Sequence, residues 1–134
     1  MADTHVLIVD DSEFFSKRIK SVLEESHGFE TTAVRSPDEA LELARSPQDA
    51  GCIDCVVSNY EMPRMNGVEL LGELRDAGFE APFILLTAKP LSSVAPEAID
   101  SGVSYLASKQ NDSQEHAMLV NRIRKAVDLH RCRS

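Results

Sequence analysis

The chain has 134 residues, a length that suits one domain whose core needs no disulfides. Its 43% hydrophobic and 27% charged content is ordinary for a globular protein, and no apolar run reaches the length of a membrane span. A net charge of −8 excludes a general nucleic-acid binder, which needs a positive field. The start Met1-Ala2-Asp3-Thr4-His5 is neither basic nor apolar enough for a signal peptide, so a cytoplasmic chain with no membrane partner is expected.

Val6 to Val9 is a short apolar run and predicts the first strand, ending in Asp10-Asp11. Phe15, Ile19, Val22 and Leu23 recur at helical spacing, which predicts a helix from about Ser12 until Gly28 breaks it. Phe29 to Val34 reads as a second strand. Ser36-Pro37-Asp38-Glu39 opens a second helix with a serine cap, proline in the first turn and a glutamate to close a capping box. That helix is expected to end near Ser46-Pro47, with Gln48 to Gly51 as a loop.

Cys55 to Ser58 is apolar and rich in β-branched residues, the pattern of a buried central strand. It stops at Asn59, and Pro63 and Asn66-Gly67 force a loop before helical spacing returns at Leu70, Leu71 and Leu74. Phe83 to Leu86 predicts a fourth strand ending in Thr87. A helix is expected near Ser93 to Ser101, closed by Gly102, then a fifth strand over Val103 to Ala107, with Lys109 just beyond. Leu119, Val120, Ile123 and Val127 form the apolar stripe of a last helix from about Ser113 to Leu129. Strands alternate with helices, and the crossovers are too long for hairpins. The prediction is a single α/β domain over residues 1–134, with a parallel sheet covered on both faces.

Three cysteines make no even disulfide framework. Cys52-Ile53-Asp54-Cys55 has redox or zinc spacing, yet it leads into a strand instead of opening a helix, and no second ligand pair accompanies it. Small apolar core residues are the plainer reading of both cysteines.

Four of the five strands finish in polar residues that could converge at one edge: Asp10-Asp11, Asn59, Thr87 and Lys109. In open α/β sheets the chemistry sits at the carboxyl ends of the strands. A carboxylate pair suits a hard divalent cation, and a threonine hydroxyl with a lysine ammonium suits the oxygens of a phosphoryl group. No Gly-rich or Ser/Thr-rich phosphate loop follows the first strand, which leaves a flavodoxin-type cofactor binder without support.

Together the acidic pair, Met62-Pro63, Gly67, Thr87 and Lys109 resemble the receiver domains of two-component response regulators, over the whole chain. The resemblance implies a flavodoxin-like (βα)5 sandwich with strand order 2-1-3-4-5. It makes Asp10 and Asp11 the metal-binding pair, with the Glu61 backbone carbonyl and position 59 as further ligands. It also makes Thr87 the switch hydroxyl and Lys109 the partner of the acceptor or its phosphate. In the family an aspartate four residues before the proline accepts phosphate from a histidine kinase; counting back from Pro63 gives Asn59.

An amide nitrogen is no usable nucleophile, so an acyl phosphate cannot form at Asn59. One negative charge is also lost from the metal site, and Mg2+ binding should be weakened. Two further departures accompany this one. Gln110 stands where most receivers have a cis proline, and Leu106 stands where they have an aromatic switch residue, with Tyr105 expected on the other face of the sheet. The expected function is a non-enzymatic, phosphorylation-independent interaction module in a phosphorelay pathway. The alternative is a phosphorylation-dependent receiver that uses Glu61 as acceptor, or an aspartate restored at position 59.

The expected partners are a histidine kinase or another signalling protein. A homodimer through the fourth helix, the fifth strand and the last helix is also expected, because receivers commonly associate there. The end of the chain, from about residue 129 to 134, resembles a linker of the kind that follows the amino-terminal receiver modules of archaeal multidomain sensor proteins. Its basic residues also complement the carboxyl end of a helix.

Overall fold

The computed structural model describes residues 4–109 and 113–133. The strands are β1 (His5–Val9), β2 (Glu30–Val34), β3 (Cys55–Asn59), β4 (Phe83–Thr87) and β5 (Tyr105–Ser108). The helices are α1 (Glu13–His27), α2 (Pro37–Arg45), α3 (Pro47–Ala50), α4 (Gly67–Asp76), α5 (Leu91–Ser101) and α6 (Ser113–Arg133). All neighbouring strands pair in parallel, in the order β2-β1-β3-β4-β5. β3 lies at the centre, and all five of its residues are buried.

Alternation along the strands divides the core into two layers. Leu7, Val9, Val56, Phe83 and Leu85 face α2, α4 and α5, where Leu41, Leu70, Leu71, Leu74, Val94 and Ala98 pack. Val6, Ile8, Cys55, Val57, Ile84 and Leu86 face Ile19 and Leu23 of α1 and Leu119, Val120, Ile123 and Val127 of α6. A parallel sheet needs this double cover, because both of its faces are apolar. Among the described residues no helix is long and apolar enough to cross a membrane.

The helix ends follow local chemistry. Ser12 Oγ accepts from Phe15 N–H, and Ser36 Oγ accepts from Glu39 N–H. The Glu39 carboxylate reaches Arg35 N–H instead of the Ser36 amide, so the expected capping box at Ser36 is only half formed. A complete reciprocal box closes instead at Asn66 and Glu69. Gly28 and Gly102 end α1 and α5 with φ of 68° and 87°, a region that favours glycine.

Several expected boundaries move. Gln48 to Gly51 is not a plain loop, because Pro47 opens α3 as well as stopping α2. α5 starts at Leu91 instead of Ser93, β2 at Glu30, and β5 covers Tyr105–Ser108. α6 runs to Arg133, past its expected end near Leu129. Gln110 lies outside the described residues.

Candidate functional site at the carboxyl edge of the sheet

The ends of β1, β3, β4 and β5 meet as the sequence predicts. Asp10 is buried at 3% exposure, and its backbone N–H is held by Val34 carbonyl of β2. Its carboxylate accepts from Ser12 N–H at 2.8 Å and pairs with the Lys109 ammonium at 2.9 Å. Lys109 also lies 4.5 Å from the centroid of the Phe15 ring. The resemblance implied a contact between Lys109 and the acceptor position. Asn59 carries no charge, and the ammonium turns to the Asp10 carboxylate instead.

Asn59 is buried at 5% exposure at the end of β3. Its Nδ2 donates to the Glu61 carbonyl at 2.7 Å and to Asp11 Oδ1 at 3.3 Å. Asn59 Oδ1 is buried with no hydrogen-bond partner. The loop after Asn59 folds back tightly: Gly67 N–H donates to the Tyr60 carbonyl at 2.9 Å, and Arg64 takes a positive φ of 74°. Arg64 also forms an ion pair with Asp38 of α2. A Cβ on Gly67 would come within 2.7 Å of the Asn59 carbonyl oxygen, so only glycine allows the loop this close to β3.

Thr87 is fully buried at the end of β4. Its hydroxyl donates to the Glu61 carboxylate at 3.1 Å and accepts from Lys89 N–H at 3.0 Å. Ala88 N–H donates to the same carboxylate at 3.2 Å. The sequence points to Glu61 through its backbone carbonyl and as an alternative acceptor, but does not place its carboxylate beside Thr87. Tyr60 Oη donates to Glu97 of α5 at 3.0 Å, which ties the loop to that helix. Burial, and then the Glu97 carboxylate, raise the Tyr60 phenol above its ordinary pKa.

The acidic pair at the end of β1, the closing glycine, the hydroxyl ending β4 and the lysine after β5 converge at the carboxyl edge of the sheet, where Asp10, Asn59 and Thr87 are buried and Asp11 is exposed. The response regulator receiver domain model matches residues 6–123 of this chain. The chain belongs to that family. The two-component response regulator ORR5 of Oryza sativa subsp. japonica is 29% identical over 121 residues, covering 89% of this chain and 87% of the relative. The response regulator SaeR of Staphylococcus aureus is 28% identical over 120 residues, which are 90% of this chain but 50% of the longer protein. Among solved structures, the Francisella response regulator 1452 receiver domain superposes with a TM-score of 0.82 at 26% identity, covering 96% of this chain and 99% of that one.

Against the receiver pattern, the second half of the switch stands apart. Tyr105 pairs in register with Ile84 and packs in the α1/α6 layer, while Leu106 pairs with Leu85 and packs in the other. Arg122 of α6 stacks over the Tyr105 ring at 4.6 Å, which fixes the ring on the side away from Thr87. The cysteines separate as well. Cys55 is buried in β3 with its thiol pushed up to about 12 by burial, whereas Cys52 is exposed and not part of the core.

A divalent ion in this receiver would draw on Asp10, Asp11, the Glu61 carbonyl and Asn59 Oδ1. All are hard oxygen donors, and the last is left without a partner. The Asn59 amide nitrogen already contacts two of these oxygens, and Lys109 contacts Asp10. Among the described residues no group of three or more His, Cys, Asp or Glu side chains is placed to hold a metal. The donor set fits Mg2+, but with two carboxylates in place of three and with two internal donors to displace.

Proposed function

We propose that this receiver domain signals through its surface without taking up a phosphoryl group, as a non-enzymatic interaction module. The observation that carries the reading is the Asn59 side chain, whose Nδ2 is engaged by the Glu61 carbonyl and Asp11 at the acceptor position. An amide nitrogen is a poor nucleophile because its lone pair is delocalised, and here its hydrogens are also committed. Glu61, the candidate substitute, has its carboxylate held by Thr87 and Ala88. Mg2+ would supply positive charge at this edge, and the lost carboxylate should weaken its binding.

Incubation with acetyl phosphate and magnesium, followed by intact mass and peptide mapping, tests this. The unmodified mass is the expected result. A labile phosphoryl adduct at position 59 or Glu61 would instead establish a phosphorylation-dependent receiver.

The partner is then a histidine kinase or another signalling protein that selects one conformation. The face of α5, β5 and α6 fits a contact with such a partner or with a second copy. Ile99 of α5 is 73% exposed, and Met118 and Leu129 of α6 are exposed on the same helical stripe as Arg122 and Lys125. Arg124 points elsewhere, toward Phe29 at the opposite sheet edge. The variants Ile99→Asp and Lys125→Glu should weaken self-association in sedimentation, and added salt should weaken it further through screening. A wild-type dimer that ignores both changes places the interface on another surface.

A further inference from the structure

Two of the features just described meet on one residue. Glu61 is held at both ends: its carbonyl by the Asn59 amide at 2.7 Å, its carboxylate by Thr87 and Ala88. The second grip is built from donors alone. Thr87 Oγ1 lies 3.1 and 3.3 Å from the two carboxylate oxygens, and Ala88 N lies 3.3 and 3.2 Å from them. An O–H and an N–H thus share one anionic group. Lys89 N–H donates to the same Thr87 hydroxyl at 3.0 Å, so that oxygen's own hydrogen is directed to Glu61. Thr87 is fully buried, and its carbonyl is fixed by Lys109 N–H at 2.7 Å. The hydroxyl is therefore oriented by its surroundings and not by solvent.

We propose that Glu61 is the built-in occupant of the oxyanion seat that Thr87 Oγ1 and Ala88 N form, a carboxylate in place of a phosphoryl group. This rests on the reading of the domain as phosphorylation-independent and adds what holds the edge in one arrangement without a phosphoryl group. Where an aspartyl phosphate site would take up a cation and an anion, groups of the chain itself stand, a neutral amide and a carboxylate. The Asn59 amide hydrogens meet Asp11 and the Glu61 carbonyl, where a cation would meet them. The Glu61 carboxylate meets the hydroxyl and the amide, where an anion would. Hydrogen bonds to an ionised acceptor are the stronger kind, so the seat holds the start of the β4–α5 loop in one arrangement. Tyr60, next to Glu61, extends the hold to α5 through Glu97.

The test follows the Ala88 backbone amide by two-dimensional NMR in the full chain, in wild type, Glu61→Gln and Glu61→Ala. A charged acceptor pulls the amide proton downfield. Glu61→Ala should move Ala88 upfield, and Glu61→Gln, which keeps the shape without the charge, should fall between. Amides far from the edge, such as Leu7 and Val127, report that both variants remain folded. Sodium acetate added to Glu61→Ala should draw Ala88 back toward its wild-type position in a saturable manner, and should leave wild type unmoved. An Ala88 amide that is the same in all three proteins, or one that ignores acetate in Glu61→Ala, overturns the proposal. A phosphoryl adduct on wild type in the acetyl phosphate experiment would sink the phosphorylation-independent reading while leaving these shifts as they are. The two failures are therefore distinct.

Discussion

Asn59→Asp is expected to destabilise the metal-free domain by about 2–4 kcal/mol, because it leaves a buried carboxylate among acceptors. The amide now donates to the Glu61 carbonyl and to Asp11 Oδ1, and a carboxylate donates to neither. Lys109 offers partial relief, but it is already paired with Asp10 at 2.9 Å. The sign should reverse when magnesium is added, since a cation converts three converging carboxylates from a liability into ligands. A gain of at least about tenfold in Mg2+ affinity follows, equivalent to roughly 1.4 kcal/mol. Urea unfolding in chelator, and calorimetric magnesium titration of both proteins, measure the two halves. Equal stability and equal affinity would mean that position 59 does not confront the acidic pair.

The second large effect concerns two glycines of one helix. In an exposed helix interior, alanine is favoured over glycine by about 1 kcal/mol. Gly72 of α4 is exposed with nothing within 4 Å of a Cβ, so Gly72→Ala should stabilise by about that amount. Gly67 opens the same helix, but its Cβ would lie 2.4 Å from Leu85 Cδ1 and 2.7 Å from the Asn59 carbonyl oxygen. Leu85 can shift a little; the backbone oxygen at the end of a central strand cannot. Overpacking of this kind costs about 1–3 kcal/mol and more against rigid neighbours, so it outweighs the propensity gain. Gly67→Ala should therefore lower the urea midpoint while Gly72→Ala raises it. Stabilisation by both would show that the loop over β3 is looser than described.

How far the sequence reached can be traced through particular residues. β1, β3 and β4 were legible as short apolar runs bounded by polar or breaking residues, and β2 through Thr31, Thr32 and Val34, which favour extended structure; the strand ends placed Asp10, Asn59, Thr87 and Lys109 together. α3 was missed because Pro47 is equally suited to ending one helix and opening another. The Asn66–Glu69 box was hidden beside a glycine that read as loop. Tyr105 facing away from Thr87 followed from strand alternation alone. The Glu61 carboxylate did not follow from anything local. Its position depends on how a loop of Pro63, Arg64 and Gly67 doubles back over the sheet, and side-chain reach across such a loop has no periodicity to read. The same holds for Lys109, whose choice of Asp10 over Asn59 is decided by charge in three dimensions.

The proposed function requires one conformation whatever the phosphodonor. The most direct measurement is the amide spectrum of the wild-type chain in magnesium, recorded before and after addition of acetyl phosphate. The resonances of Thr87, Ala88, Lys89 and the residues of α5 should superimpose in the two spectra. A second set of peaks at these positions, growing in with the donor and decaying as it is consumed, would contradict it.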